Sequence, residues 1–245
     1  HAQASSYSFA ASSGTFTPLT GATNLSSVEG DTKTSTAQAI GFNFDFEGIT
    51  YTQFRMASDG FISFNTLATS NYTNDLDNAS SSRKPLLAPL WDDLDGSASG
   101  TGGTSKANYL LSGTAPNRVL TVEWLNWEWN YGSTDAVISF QVKIHETTNV
   151  IEFIYRQDPD AISSGSASIG LSGLSSFLSL SSSGSAPTAS SSIETSNIST
   201  KPATGQVYTF SPPSCPNPTA LGTANLTATS VDLGWTAGGS ETNWK

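Results

Sequence analysis

The 245-residue chain predicts an all-β fold, a two-sheet antiparallel β-sandwich, and three observations carry that prediction. Apolar and polar residues alternate in short runs while helical periodicity is nearly absent, a pattern that puts one side of each run in a core and the other in solvent. Gly, Ser, Asn and Asp divide those runs at short, regular intervals, and these residues favour turns. Charged residues make up only 12% of a chain crowded with Ser, Thr, Gly and Asn. Such usage suits the hydroxyl-rich surface of an extracellular β protein and does not suit a helical cytosolic enzyme.

Taken in order, the opening His1-Ala-Gln-Ala4 carries the small-residue pattern of a signal-peptidase site. Residues 1–4 therefore read as a leader remnant or tail, and export is expected. Residues 5–211 read as the sandwich. Phe42, Phe44 and Phe46 alternate with Asn43 and Asp45; a Glu47-Gly48 turn leads into a strand over Ile49–Met56, and Asp59-Gly60 turns into Phe61–Phe64. Val119–Trp124 supplies another strand. The clearest hairpin spans 136–156, with Ile138, Phe140, Val142 and Ile144 on one face, a turn at Thr147-Thr148-Asn149, and a return through Ile151, Phe153 and Tyr155. Val150 and Ile154 make the other face of that return strand apolar too, so it is placed centrally, covered on both sides. Ser166–Leu171 and Phe177–Leu180 add two strands, 181–202 reads as a Ser/Thr/Ala-rich surface loop with little to bury, and Gly205–Phe210 closes the sandwich.

Residues 212–218 lie in a proline-rich stretch whose rings enforce extended backbone, and so form a stiff linker. The stretch 219–245 resembles the opening of a fibronectin type III domain, two strands of which the second ends in Trp235. Two strands alone cannot bury that tryptophan, so further chain or a neighbouring molecule is expected to cover it.

Charge and residue inventory exclude several classes of function. A formal charge of −10, from 10 basic and 20 acidic residues, repels phosphate backbones, and no nucleic-acid partner is expected. No apolar run reaches the length of about 18 residues that a membrane-spanning helix needs. One cysteine, Cys215, and two histidines, His1 and His145, allow neither a disulfide framework nor a zinc site, so any metal must be a hard ion held by oxygen. An N-terminal histidine can chelate copper, as in oxidative polysaccharide-cleaving enzymes, with His145 as the second ligand. The plainer reading is a leader remnant and a strand-end imidazole.

The segments FRMASDGFISF (54–64), LLAPLWDDLDG, NRVLTVEWLNWEWNY, AVISFQVKIHETTNVIEFIYR and SASIGLSG resemble, in their order, the motifs of nidogen-like (NIDO) domains. More closely, they are similar to N-terminal β domains of large secreted bacterial surface proteins, in which a CPxP linker and fibronectin type III repeats follow and a type IX secretion signal is common. The resemblance covers roughly residues 5–211. It implies extracellular placement and a role in adhesion or surface assembly, often beside some other domain, and it implies no reaction.

Two groups of side chains stand out as candidate sites. In Ala88–Gly96, APLWDDLDG, Asp93 and Asp95 alternate before a glycine as in half of a calcium loop, and Asp75 and Asp77 of YTNDLDN can add ligands. The competing reading, solvated turn carboxylates, is favoured by how readily Asp serves turns. Calcium is thus the cofactor these carboxylates suggest, and none is required. Trp127, Trp129 and Tyr131 share a strand face by alternation, with Trp124 out of phase behind a bulge. Exposed, that face is a platform for sugar or protein; buried, it is sandwich core, and core is favoured.

No catalytic residues are assigned. Asp92 and Asp93 point to opposite faces of an extended segment, nothing in the sequence marks Glu123 or Glu128 as buried, and no GxSxG elbow occurs. The expected function is a non-catalytic extracellular module that contacts protein or glycan at the cell surface. Self-association as a filament subunit, or service as the accessory part of a secreted hydrolase, are the alternatives.

Overall fold

The computed structural model describes residues 3–132, 134–213 and 219–236, and the chain divides into two compact units, 1–212 and 213–245. The first unit is all-β. Its strands are β1 (Ser8–Ser13), β2 (Thr23–Asn24), β3 (Gln38–Phe46), β4 (Ile49–Ala57), β5 (Phe61–Ser63), β6 (Leu86–Trp91), β7 (Leu94–Asp95) and β8 (Lys106–Ser112). They are followed by β9 (Val119–Trp129), β10 (Ile138–His145), β11 (Ile151–Gln157), β12 (Ser168–Ser172), β13 (Phe177–Leu180), β14 (Ala189–Ser190) and β15 (Gln206–Ser211).

One antiparallel sheet runs in the order β1-β15-β11-β10-β9-β8-β2, with β7 also paired to β9, and the other runs β14-β13-β12-β6-β5-β4-β3. Their facing sides form the main core, with Phe42, Phe44, Phe54, Phe64, Leu87 and Leu90 from one sheet meeting Trp124, Trp127, Phe140, Phe153, Tyr155 and Tyr208 from the other. Each large side chain so buried contributes roughly 1.5–3 kcal/mol.

The expected hairpin forms in the register Ile138↔Gln157 to Ile144↔Ile151. As expected, β11 is internal, between β10 and β15. Its outer-face Ile154 is buried, with Gly14 of the N-terminal segment beside it. A second, smaller core of Phe61, Leu76, Ala79, Leu86, Ala88, Trp91 and Phe177 lies between the other sheet and the loop that carries Leu76 and Ala79. β6 is therefore buried throughout. The register of β12 on β6 shifts between Ala88 and Trp91, where Pro89 has no N–H to give to the ladder. That shift sends Trp91 into the smaller core and leaves Leu87 and Leu90 in the main one.

The 181–202 segment corrects its expectation. Ile198 is buried and bridges Ala167, Ala189-Ser190 pairs with β13, and the Lys201 ammonium donates to the carbonyls of Val137 (3.1 Å), Asp158 (2.8 Å) and Asp160 (2.5 Å). Strand and loop are thus joined by backbone pairing, which hydrophobic alternation does not report.

The second unit is a two-stranded antiparallel hairpin of β16 (Thr219–Ala224) and β17 (Asp232–Thr236). Residues 214–218, with Cys215 and most of the expected linker, lie outside the described residues, as does His1. No helix among the described residues is long and apolar enough to cross a membrane.

Candidate functional site

Three segments remote in sequence bring acids together. Asp31 lies before β3, Asp59 sits in the turn between β4 and β5, and Asp93 follows β6. Each offers a carboxylate oxygen within 4.8 Å of those of the other two.

Backbone bonds and indole groups fix these segments. The Asp92 N–H donates to the Asp59 carbonyl (3.2 Å), and the Gly96 N–H donates to the Gly30 carbonyl (3.4 Å). The Trp124 indole N–H donates to the Ala57 carbonyl (2.9 Å), that of Trp127 to the Ser58 carbonyl (3.0 Å), and that of Trp129 to Asp92 Oδ2 (2.7 Å). From the smaller core, the Trp91 indole N–H holds the Asn71 carbonyl (2.6 Å).

Neighbouring acids divide the work. Asp92 is buried and saturated: besides Trp129 it accepts from the Ser166 N–H (2.6 Å), the Ser166 hydroxyl (2.9 Å) and the Asp93 N–H (2.9 Å). The half-buried Asp93 turns instead toward Asp31 and Asp59; the two acids sit in a bend between β6 and β7, not on the extended segment the sequence suggested, and both border one hollow. Asp59 is 0% exposed. Its Oδ2 accepts from the Ser70 hydroxyl (2.6 Å), whereas Oδ1 has no hydrogen-bond partner among the described residues. Burial, only partly offset by Ser70 and reinforced by Asp93, Asp31 and Asp92, pushes the Asp59 carboxyl up to about 7. Burial and the neighbouring acids also raise Asp93.

The structure regroups the predicted metal set. Asp93 joins the trio, but Asp95, buried in β7, accepts the Ser97 hydroxyl (2.6 Å) and pairs with Glu128 across the sheet. Asp75 serves its own turn, accepting from the Asn78 N–H (2.7 Å), and lies beside the Glu194 carboxyl, which burial and this neighbour push up. The Asp77 N–H donates to Glu194 (3.3 Å). Asp75 is thus taken up by its loop's attachment to the 194 segment, while Asp77 joins that attachment through its backbone and keeps an exposed side chain. Asp31 and Asp59 carried no sequence signal beyond lying near glycines, because the pairing of their segments is purely tertiary.

The aromatic platform is corrected as well. Trp127 and Trp129 are fully buried, so they cannot stack on a ligand, and their polar edges are used as struts. The expected bulge lies between Trp124 and Trp127, where the pairing with β10 shifts and Asn126 takes a φ of 56°; it lets both rings enter the core. Tyr131 alone of the three is exposed, at 62%, and its neighbour in space is Tyr72, at 59%.

These two tyrosines, with Asp31, Thr32 and Asp93, line a surface hollow of about 390 Å³. A second hollow of about 360 Å³ continues from Tyr72 and Asp93 over Asn74, Asp92, Asn130, Ser164 and Ser166. The combined lining is two aromatic rings over amides, hydroxyls and carboxylates. Tyr72 was legible only as one residue of a polar loop, since what exposes it is the anchoring of that loop by Trp91.

The buried state of Glu123 and Glu128 was not legible in the sequence. Glu123 is saturated, accepting from the Leu19 N–H (3.0 Å), the Gln141 amide (2.7 Å) and the Asn108 amide (3.1 Å). It therefore ties the N-terminal segment to the sheet. Glu128 is buried with both oxygens lacking hydrogen-bond partners among the described residues. Burial, with the charges of Asp95 and Asp135, pushes it up to about 7. His145, the second ligand a copper brace needs, lies 3.0 Å from Glu152 across the hairpin.

Fold and site together define the class: a two-layer antiparallel sandwich whose connections build an acidic, tyrosine-flanked hollow. A family model described as NIDO related matches residues 6–212, and the chain belongs to that family. Comparison with curated proteins and with solved structures finds no match.

Proposed function

We propose that this protein is an extracellular, non-catalytic binding module that works in adhesion or surface assembly and takes a glycan in the Tyr72–Tyr131 hollow. The observation that carries this reading is the pair of exposed tyrosine rings flanking a polar hollow. Aromatic faces stack on the C–H faces of sugars, while amides, hydroxyls and carboxylates receive the sugar hydroxyls. Asn74, Asn130 and Ser166 supply such groups along the same hollow. The low charge content of the chain and its hydroxyl-rich composition support an extracellular setting.

The test is a glycan array probed with the whole chain, followed by affinity measurement on the best ligand. Tyr72→Ala and Tyr131→Ala are each expected to weaken binding about tenfold, the equivalent of roughly 1.4 kcal/mol. Undiminished affinity in the double variant, or no retention on any glycan, contradicts the reading.

The hairpin favours a second surface. Leu221, Leu226, Leu233 and Trp235 of β16, β17 and their connection are all exposed, and an apolar patch on so small an element is suited to contact. We read it as the opening of a fibronectin type III domain whose apolar side packs on further chain or, in self-association, on a second molecule. Sedimentation of the wild type against Leu233→Ser separates these: concentration-dependent association abolished by the substitution supports the second molecule, and a monomer at every concentration contradicts it.

A further inference from the structure

We propose that Asp31, Asp59 and Asp93 hold one hard divalent cation, calcium, beside the glycan hollow. Two independent observations converge on it. The first is geometric: the three carboxylates, from three separated segments, each bring an oxygen within 4.8 Å of the others. Oxygens bound to one calcium at about 2.3–2.6 Å stand no more than about 5 Å apart, so all three can share one ion, and a cage of several protein carboxylates is usual for calcium, whereas magnesium keeps several waters and takes one or two carboxylates.

The second observation is Asp59 Oδ1, an oxygen of a fully buried carboxylate with no hydrogen-bond partner among the described residues. An unmet buried acceptor costs on the order of 1–3 kcal/mol. The other oxygen of the same group is already taken by Ser70. The charges that bear on Asp59 are those of Asp93, Asp31 and Asp92, all of the same sign. A cation supplies both the missing partner and the missing charge.

The trio is also graded for entry, with Asp59 buried, Asp93 half-buried and Asp31 exposed. Its ligands are carboxylate oxygens only, which select hard ions, and water completes the coordination shell. The tryptophan struts and backbone bonds hold the turn and the Asp92–Gly96 segment whether or not an ion is bound, so the site is pre-built and does not fold on binding. Asp93 borders both the trio and the hollow, which puts the ion next to any sugar held there.

The experiment is isothermal titration of the chelator-treated whole chain with calcium chloride, then with magnesium chloride, in glycan-free buffer. It therefore stands or falls separately from glycan binding. One saturable calcium site is expected, with the melting midpoint rising as it fills. Asp31→Asn and Asp93→Asn, neither of them buried, should each weaken calcium at least tenfold, whereas Asp75→Asn and Asp77→Asn should leave it unchanged. Absence of saturable binding up to about 5 mM calcium, well past the range of weak extracellular sites, overturns the proposal. Calcium affinity unchanged in the Asp31→Asn Asp93→Asn double variant, or a site that takes magnesium and not calcium, overturns it as well.

Discussion

At the scale of single residues, the polar ends of large side chains explain more than their apolar bodies do. Trp124, Trp127 and Trp129 are core residues by area, yet each indole N–H ends on the Ala57–Ser58 turn or on Asp92. Replacing Trp129 by Phe keeps the ring buried and removes one donor from Asp92, which retains three other donors. The expected loss is about 1–2 kcal/mol in chemical denaturation. Glu128 makes a different prediction because it is buried with no hydrogen-bond partner for its carboxylate among the described residues. Its carboxyl rises from 4.5 to about 7 in the folded protein, so the native state holds its proton more tightly than the unfolded chain. That contribution is full below about pH 4.5 and is lost as the pH climbs through 7. Glu128→Gln should therefore raise the calorimetric midpoint at pH 8, by about 2–4 °C for each kcal/mol regained, and do little at pH 5. Equal shifts at both pH values contradict this account.

At the scale of elements, the turn between β4 and β5 shows how closely the site is built. Gly60 has a φ of 82°, and a Cβ added there would stand 1.8 Å from the Leu90 carbonyl oxygen. Strain and overlap act together, so Gly60→Ala is expected to cost about 3 kcal/mol or more in equilibrium unfolding. A loss under about 1 kcal/mol would mean that the turn yields easily. The same turn marks what could be read beforehand. Asp59-Gly60 announces a turn, and the alternation of Phe42, Phe44 and Phe46 announces β3, because both signals are local. β1 and β8 gave no such signal. SFAASS and KANYLLS hold little that is buried, and backbone pairing to β15 and β9 makes them strands. The acid trio was half legible for the same reason: Asp93 sits in a recognisable acidic loop, while Asp31 and Asp59 reach it through contacts that span tens of residues. Asp75 and Asp77 looked equivalent to Asp93 in the sequence, and only the attachment of their loop to Glu194 separates them.

At the scale of the whole molecule, the two sheets supply a rigid frame, and the surface that departs from frame-building lies in the connections. The smaller core under β6 anchors the Tyr72 loop through Trp91, and the main core anchors the acidic segments through Trp124, Trp127 and Trp129. In a NIDO related domain built this way, the acidic, tyrosine-flanked hollow is set by the fold itself. That claim is tested most directly by amide hydrogen exchange on the ligand-free, chelator-treated chain. The N–H groups of Asp92 and Leu94, bonded to the carbonyls of Asp59 and Asp92, should exchange as slowly as those of the central strands β9 and β10, within about tenfold. Exchange at rates typical of open loops, roughly a thousandfold faster or more, would contradict a pre-built site.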